Sequence, residues 1–405
     1  MAKVEKLNII FLTLVSIDSI LDSNIYSDLI RCFVNNGVHV TVFSPLERRR
    51  NRIENVISSN YSIIRYRIPN IQKTNIFEKA IGTFSIDYIL NLTLRKYLPD
   101  NEYQLVIYST PPINLVKSVR YLKRKYSVKS YLLLKDIFPQ NAVDLKMFGD
   151  KSLFNKFFKR METKLYQCSD FIGCMSKANV DYIKSNNECI DNKVVEICPN
   201  SIEVPNFSNY VNNVEFRASL GIPLDSKVFI YGGNLGKPQD IPFLIKILIE
   251  FKSNKDVFFI IIGSGTEYNL LKKACEKFNF KNVLLKSYLP KNEYDDFVTI
   301  SDIGMILLDH RFTIPNYPSR LLSYLEKSKP IIAITDDVTD VGSNAVERGY
   351  GFNSSSTNLR EAINSIKSIL VMSTEELKTM GANGYGYLSE NYSTDISYDI
   401  IIEKV

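Results

Sequence analysis

The chain has 405 residues, 45% hydrophobic and 23% charged, with 17 Gly and 15 Pro, which excludes a disordered chain and a small disulfide-stapled module and, at about 150 residues per domain, allows two or three cores. The 50 Lys/Arg against 44 Asp/Glu leave a net charge of +6, which makes no case for nucleic acid as a partner. The charge is unevenly divided: residues 1–200 hold 29 basic and 19 acidic side chains, whereas residues 201–405 hold 21 and 25.

The opening Met1-Ala2-Lys3-Val4-Glu5-Lys6 precedes an apolar run, Leu7 to Val15. No small-residue cleavage site follows, and Asp18 and Asp22 come instead, so a first strand is expected rather than a secretory signal. No apolar run reaches the 18 or so residues of a membrane-spanning helix, so membrane contact is expected to be peripheral. Six cysteines without C-x-x-C spacing point to a reduced, cytoplasmic setting. Only His39 and His310 are present, and His39 lies in an apolar stretch that reads as structural.

Strand-length apolar runs then alternate with amphipathic helical stretches, the pattern of parallel sheets covered by helices on both faces. The first series predicts strands at Leu7–Leu14, Val38–Phe43, Leu105–Tyr108, Ser130–Leu134, Phe171–Met175 and Val194–Ile197, with helices near 25–36, 75–97, 113–126, 151–167 and 177–185. Within this half, Lys151–Leu165 is a basic amphipathic helix: Phe154, Phe157, Phe158, Met161 and Leu165 fall at helical spacing, with Lys156, Lys159, Arg160 and Lys164 between them. The stripe reads as core first and as an anionic-lipid contact second, the latter helped by Lys117, Arg120, Lys123, Arg124, Lys125 and Lys129.

Pro199 to Pro223, with Asn200, Pro205, Asn206, Asn209, Asn212 and Asn213, reads as an interdomain linker. The second series predicts strands at Val228–Tyr231, Val257–Ile262, Val283–Lys286, Ile303–Leu307 and Pro330–Ile334, helices near 241–252, 266–278, 291–299, 318–327 and 357–370, and a last pair near 374–390 and 394–403. The fold class is therefore α/β, two doubly wound parallel-sheet domains, with a cleft expected between the carboxyl ends of the sheets.

Three segments of the second domain carry candidate chemistry. Gly232-Gly233-Asn234-Leu235-Gly236-Lys237 joins a strand to a helix; it reads either as a phosphate-binding turn, with open amides and a cation, or as a tight turn with an incidental lysine. Gly263-Ser264-Gly265 repeats the arrangement 30 residues later, and the pair together favours a phosphate or nucleoside pocket. At Pro318-Ser319-Arg320 a serine hydroxyl and a guanidinium open a helix, which suits a diphosphate or, more blandly, an N-cap with a solvated arginine. Asp295-Asp296 and Asp336-Asp337 with Asp340 read as structural rather than as metal ligands.

The order of these motifs resembles the GT-B glycosyltransferases of family four, in the bacterial branch that extends lipid-linked capsule or O-antigen precursors. The resemblance runs through Tyr108-Ser109-Thr110-Pro111-Pro112, Lys135-Asp136-Ile137-Phe138-Pro139-Gln140, Cys198-Pro199-Asn200-Ser201, the Gly233 and Gly263 turns and Pro318–Leu325. It implies a retaining transfer from a nucleotide-sugar, usually a UDP-sugar, to a lipid-linked glycan on an anionic membrane face, with no metal or other cofactor and no nucleic acid. It divides the chain into 1–204 for the acceptor, 205–380 for the donor, and 381–405 as helices packing back toward the first domain. Gly233, Asn234, Lys237, Gly263, Ser264, Gly265, Ser319 and Arg320 would bind the donor, with Lys237 and Arg320 stabilising charge on the leaving diphosphate. Asp136 would act on the acceptor side or cap its own turn; Asp18, Asp22 and Asn24 would meet the acceptor or remain loop residues. One departure stands out: Pro315 and Ser323 occupy the positions of two glutamates frequent in the family, and Glu326 is a helical turn too far along to replace them. Rival readings are a non-catalytic nucleotide- or acceptor-binding partner subunit and a nucleotide-sugar epimerase.

Overall fold

The computed structural model describes residues 7–51, 54–70, 76–205 and 213–405. Met1–Lys6 and the linker residues Asn206, Asn209 and Asn212 lie outside them. The chain forms two compact units, residues 1–203 with 394–405, and residues 204–393.

Among the described residues, the first unit holds β1 (Asn8–Leu12), β2 (His39–Glu47), β3 (Val56–Ile57), β4 (Tyr61–Ile68), β5 (Leu105–Ser109), β6 (Lys129–Leu134), β7 (Phe171–Cys174) and β8 (Val194–Ile197). They form one sheet in the order β3-β4-β2-β1-β5-β6-β7-β8, parallel except for β3 against β4. The central β1 is buried from Ile9 through Leu12, as a strand with helices on both faces must be. β3 and β4 were not expected from the sequence. In β4, Ile64, Tyr66 and Ile68 alternate with Arg65 and Arg67, a period-two pattern of a strand near the sheet edge, hidden by its arginines.

The second unit holds β9 (Lys227–Asn234), β10 (Val257–Ser264), β11 (Val283–Lys286), β12 (Ile303–Leu307), β13 (Ile331–Thr335) and β14 (Gly351–Ser355), ordered β11-β10-β9-β12-β13-β14. All neighbours are parallel. The edge strand β14 was missed because Asn353, Ser354 and Ser355 dilute its apolar signal. Its core gathers Phe229, Tyr231, Phe259, Ile261, Met305 and Ile332 with Leu244, Ile247 and Ile366 from the covering helices.

Two expectations need correction. The segment read as linker contains a helix, Val214–Ser219, capped by Asn213; Arg217 fixes it by donating to the Ile300 carbonyl at 2.7 Å and to Asp302 at 2.8 Å. The boundary placed at 381 falls inside the helix Thr374–Asn391, whose capping box at Ser373 and Glu376 starts a run unbroken to Asn391; that helix stays in the second unit, and the chain changes unit at Thr394. The helix Thr394–Ile402 packs on the helix Ile25–Asn35: Ile401 is buried in the core with Phe33, Tyr398 meets the Phe33 ring edge-on at 5.0 Å, and Lys404 pairs with Glu196 at 2.9 Å.

The apolar stripe of the helix Leu153–Cys168 is also divided. Leu165 is buried, but Phe154 and Phe157 are exposed, and Phe158 packs on Phe138 and Phe148.

Because Ile401 fills the core of the first unit from the far end of the chain, Ile401→Ala is expected to destabilise that unit by about 2–5 kcal/mol. Urea unfolding followed by circular dichroism measures it, and an unchanged midpoint would detach the C-terminal helix from the core.

Candidate functional site

In the second sheet the chain moves outward from β9 to β10 and β11, then returns to the other side of β9 with β12. Open parallel sheets bind ligands at the carboxyl ends of the strands where the order reverses, here the loops after β9 and β12. Gly233 lies at the carboxyl end of β9, and Asp309 follows β12.

The glycines of these loops do different work from one another. Both strands run further than expected, to Asn234 and Ser264, with Gly233 opposite Gly263 and Asn234 opposite Ser264. A Cβ on Gly263 would sit 1.9 Å from the Gly233 carbonyl oxygen, and one on Gly265 would sit 2.2 Å from that of Leu235. Gly263 and Gly265 are therefore required by backbone packing, not by access for a ligand. Gly233 differs: it is exposed, and its φ of +124° is one that L side chains rarely adopt. Asn234 is exposed, and its amide donates to Gln239 at 2.6 Å. Ser264 is exposed beside them.

Arg320 reaches this turn from the helix Arg320–Glu326. Its Nη2 would lie 3.4 Å from a Cβ on Gly233, and its guanidinium carbon stands 4.4 Å from the centre of the Tyr231 ring. One turn along the helix, Tyr324 ties the strands together: its hydroxyl accepts from Gly232 N–H at 3.2 Å and lies 3.3 Å from the carbonyls of Ile230 and Met305. Arg320 is thus held by stacking, while its Nη1 is buried with no hydrogen-bond partner among the described residues. Ser319 is the exposed N-cap, and its hydroxyl makes no capping bond. The helix has only seven residues, so its dipole is a small addition to the guanidinium charge.

Lys237 opens a short 3-10 turn, Lys237–Gln239, and is exposed. Asp309 N–H donates to Pro238 O at 3.0 Å, fastening the loop after β12 to this turn. Around it the sequence reading missed a charge cluster. Glu267 is pushed up by burial and by Asp240, with Lys237 pulling the other way. Asp240, Asp309 and His310 bring potential ligand atoms within 4.8 Å of one another. The buried Asp309 accepts from Arg311 Nε at 2.8 Å and N–H at 2.9 Å, and from Nη2. Burial alone would raise the Asp309 carboxyl, yet Arg311 holds it below the usual carboxylate range. One carboxylate of the trio is thus already paired with a guanidinium. The trio was hard to find because Asp240 is 69 positions from Asp309. The other acidic pairs are structural: Asp336 accepts from Val338 and Thr339 N–H, and Asp295 pairs with Lys291. Glu326 is engaged by Lys327 at 2.9 Å.

In the first unit, Asp136 follows β6 and is half-buried. Thr110, just after β5, pins its backbone: Oγ1 accepts from Lys135 N–H at 2.9 Å and from Asp136 N–H at 3.2 Å. Burial pushes the Asp136 carboxyl up to about 6, although Asn141 donates to it at 2.8 Å and favours the charge. Lys135, which the sequence reading left out of the site, donates to Cys198 O, and burial pulls it down to about 8. The other acceptor candidates are spent locally. Asn24 caps the helix Ile25–Asn35, accepting from Tyr26 and Ser27 N–H. Asp22 accepts from Ser19 N–H at 3.0 Å, and Asp18 pairs with Arg50 at 2.6 Å.

Residues 212–386 match the family described as Glycosyl transferases group 1. The chain is 19% identical over 340 residues to the glycosyltransferase WbjE of Pseudomonas aeruginosa, covering 82% of each. It is 20% identical to the colanic acid biosynthesis glycosyl transferase WcaI of Escherichia coli strain K12, covering 65% of this chain and 64% of that one. Its fold is that of sucrose-phosphate synthase from Thermosynechococcus elongatus (TM-score 0.75, 13% identity, 98% of both chains) and of Anabaena HepE in complex with UDP (TM-score 0.66, 13% identity, 98% and 99%). These are GT-B proteins, built like this one from two parallel-sheet α/β domains. The chain carries a group 1 glycosyltransferase domain and is a nucleotide-sugar-dependent glycosyltransferase.

Proposed function

We propose that the enzyme moves a sugar from a UDP-sugar to a lipid-linked glycan acceptor during capsule, O-antigen or exopolysaccharide synthesis, with retention at the anomeric carbon, on the inner face of a membrane. The observation that carries this reading is Arg320: a guanidinium stacked on Tyr231 beside the Gly233 turn, with Nη1 buried and unbonded. A buried guanidinium N–H without an acceptor is costly unless an anion completes it, and a diphosphate offers the oxygens. The solved complex of HepE with UDP supports uridine, and the colanic acid role in the name of WcaI supports a polysaccharide product.

In the proposed transfer the bond from the anomeric carbon to the β-phosphate oxygen breaks while an acceptor hydroxyl attacks from the same face. The hydroxyl proton passes to the departing phosphate. Lys237 and Arg320 stabilise the charge growing on the diphosphate, Gly233 and Ser319 lie along it, and Ser264 and Gly265 flank the nucleoside. Asp136 accepts a hydrogen bond from the acceptor hydroxyl and orients it. This reading requires no metal, since Lys237 and Arg320 supply the positive charge on the diphosphate; of the Asp240, Asp309 and His310 group, Asp309 is already paired with Arg311.

Three measurements test this. Arg320→Ala and Lys237→Ala should each lower turnover about a hundredfold or more with the fold retained by circular dichroism; near-normal rates in both would remove the diphosphate assignment. Activity should persist in EDTA, and a loss restored by Mn or Mg would overturn the metal-free transfer. Asp136 holds its proton longer folded than unfolded, so it lowers stability as pH rises from 3.8 to about 6, with no further change above. Asp136→Asn should abolish that decline, raise acceptor KM about tenfold and remove an acid limb near pH 6 from the rate profile. An unaltered acid limb would assign the titration elsewhere.

A further inference from the structure

The helix Leu153–Cys168 is mounted by its C-terminal half, where Leu165, Tyr166 and Cys168 are buried. Its first turns and the loop before them do the opposite. Leu153 is 83% exposed, Phe154 69%, Phe157 46% and Met147 67%. Leu153 and Phe154 stand four and three positions before Phe157, so the three are neighbours on the helix surface. Single exposed apolar residues are ordinary, but a cluster marks a surface suited to another phase or another molecule.

Charge selects between these. Residues 146–164 contain Lys146, Lys151, Lys156, Lys159, Arg160 and Lys164 against Asp150 and Glu162; Asp150 accepts from the Asn155 amide at 3.0 Å, and Glu162 pairs with Lys159 at 3.4 Å. Apolar side chains among cations match the boundary between acyl chains and anionic headgroups. A second copy fits poorly, because at a two-fold interface the patch meets itself and sets cations against cations. The base is rigid: Phe158 meets Phe138 at 5.0 Å and stacks on Phe148 at 6.1 Å, with Phe157 edge-on to Phe158 at 5.5 Å. Phe138 is two residues after Asp136.

We propose that Met147, Leu153, Phe154 and Phe157 form a docking surface that enters the interface of an anionic membrane, with the surrounding cations on lipid phosphates. This rests on the reading of a lipid-linked acceptor and adds where the lipid is met: on the aromatic cluster that supports the Asp136 segment. The lipid end of the acceptor and the residue that orients its hydroxyl then belong to one local structure.

The chain contains no tryptophan, so Phe154→Trp introduces a single indole reporter. Full-length protein is mixed with vesicles of phosphatidylcholine, with or without about 30% phosphatidylglycerol. On anionic vesicles the emission should shift to the blue and be quenched by brominated acyl chains. The triple variant Leu153→Ser, Phe154→Ser, Phe157→Ser should lose flotation about tenfold or more while keeping the thermal shift induced by UDP. No blue shift at low salt, or equal flotation of the triple variant, overturns the proposal. A triple variant that turns from dimer to monomer in sedimentation, with vesicle binding intact, would make the patch a contact between copies instead. A wild type that enters vesicles but shows no UDP shift would defeat the donor reading and leave the docking surface standing.

Discussion

The candidate donor site depends on how closely the ends of β9 and β10 approach. Gly263 lies so near the Gly233 carbonyl that no side chain fits between them. The two strand ends therefore run together to Asn234 and Ser264, presenting the Gly233 turn as an exposed backbone edge. Arg320 lies along that edge because Tyr231, on the same strand, offers its ring as a platform. Tyr324 closes the arrangement by bonding the backbones of β9 and β12, the two strands at which the sheet order reverses. One steric requirement at Gly263 thus fixes the position of a charged group from another helix.

The first unit positions its candidate differently. Asp136 is held through its main chain, by the hydroxyl of Thr110, while its side chain receives the Asn141 amide and the Ile137 backbone N–H. Burial outweighs these donors and pushes the carboxyl up to about 6. The loop carrying Asp18, Asp22 and Asn24 is the opposite case. Its polar side chains are consumed by a cap, a turn and an ion pair, so the loop is ordered by the same groups that a ligand would need.

What was legible in the sequence follows from the range of the signals. Short, mostly apolar runs set off by polar neighbours mark strands whether central or at an edge, so the buried β12 and the partly exposed edge strands β8 and β11 were placed at their observed ends; β4 and β14 escaped because Arg, Asn and Ser interrupt their apolar signal. The Gly233, Lys237 and Arg320 candidates were visible as local strand-to-helix patterns, and Arg320 and Tyr324 already share a helix face at four-residue spacing. The reason for Gly263 and the Asp240–Asp309–His310 grouping were not visible, because each is a contact between distant segments. The helix at 153–168 shows a further limit: periodicity finds an apolar face but not whether other segments cover it, and among the described residues Leu165 is covered while Leu153, Phe154 and Phe157 are exposed.

The choice of cations follows from burial. An ammonium withdrawn from water loses its proton readily, and Lys135 in the first unit is already drawn down to about 8. A lysine at position 320, half-buried and packed on Tyr231, would face the same pressure toward losing its proton. A guanidinium keeps its charge there, stacks on the ring through its plane and still presents donors in the fixed fork that phosphate oxygens fit. At position 237 the side chain is exposed, and in the proposed transfer its flexible stem lets it follow the diphosphate as it leaves. The half-buried arginine and the exposed lysine are therefore not interchangeable: one supplies a fixed charge within the structure, the other a mobile charge at its surface.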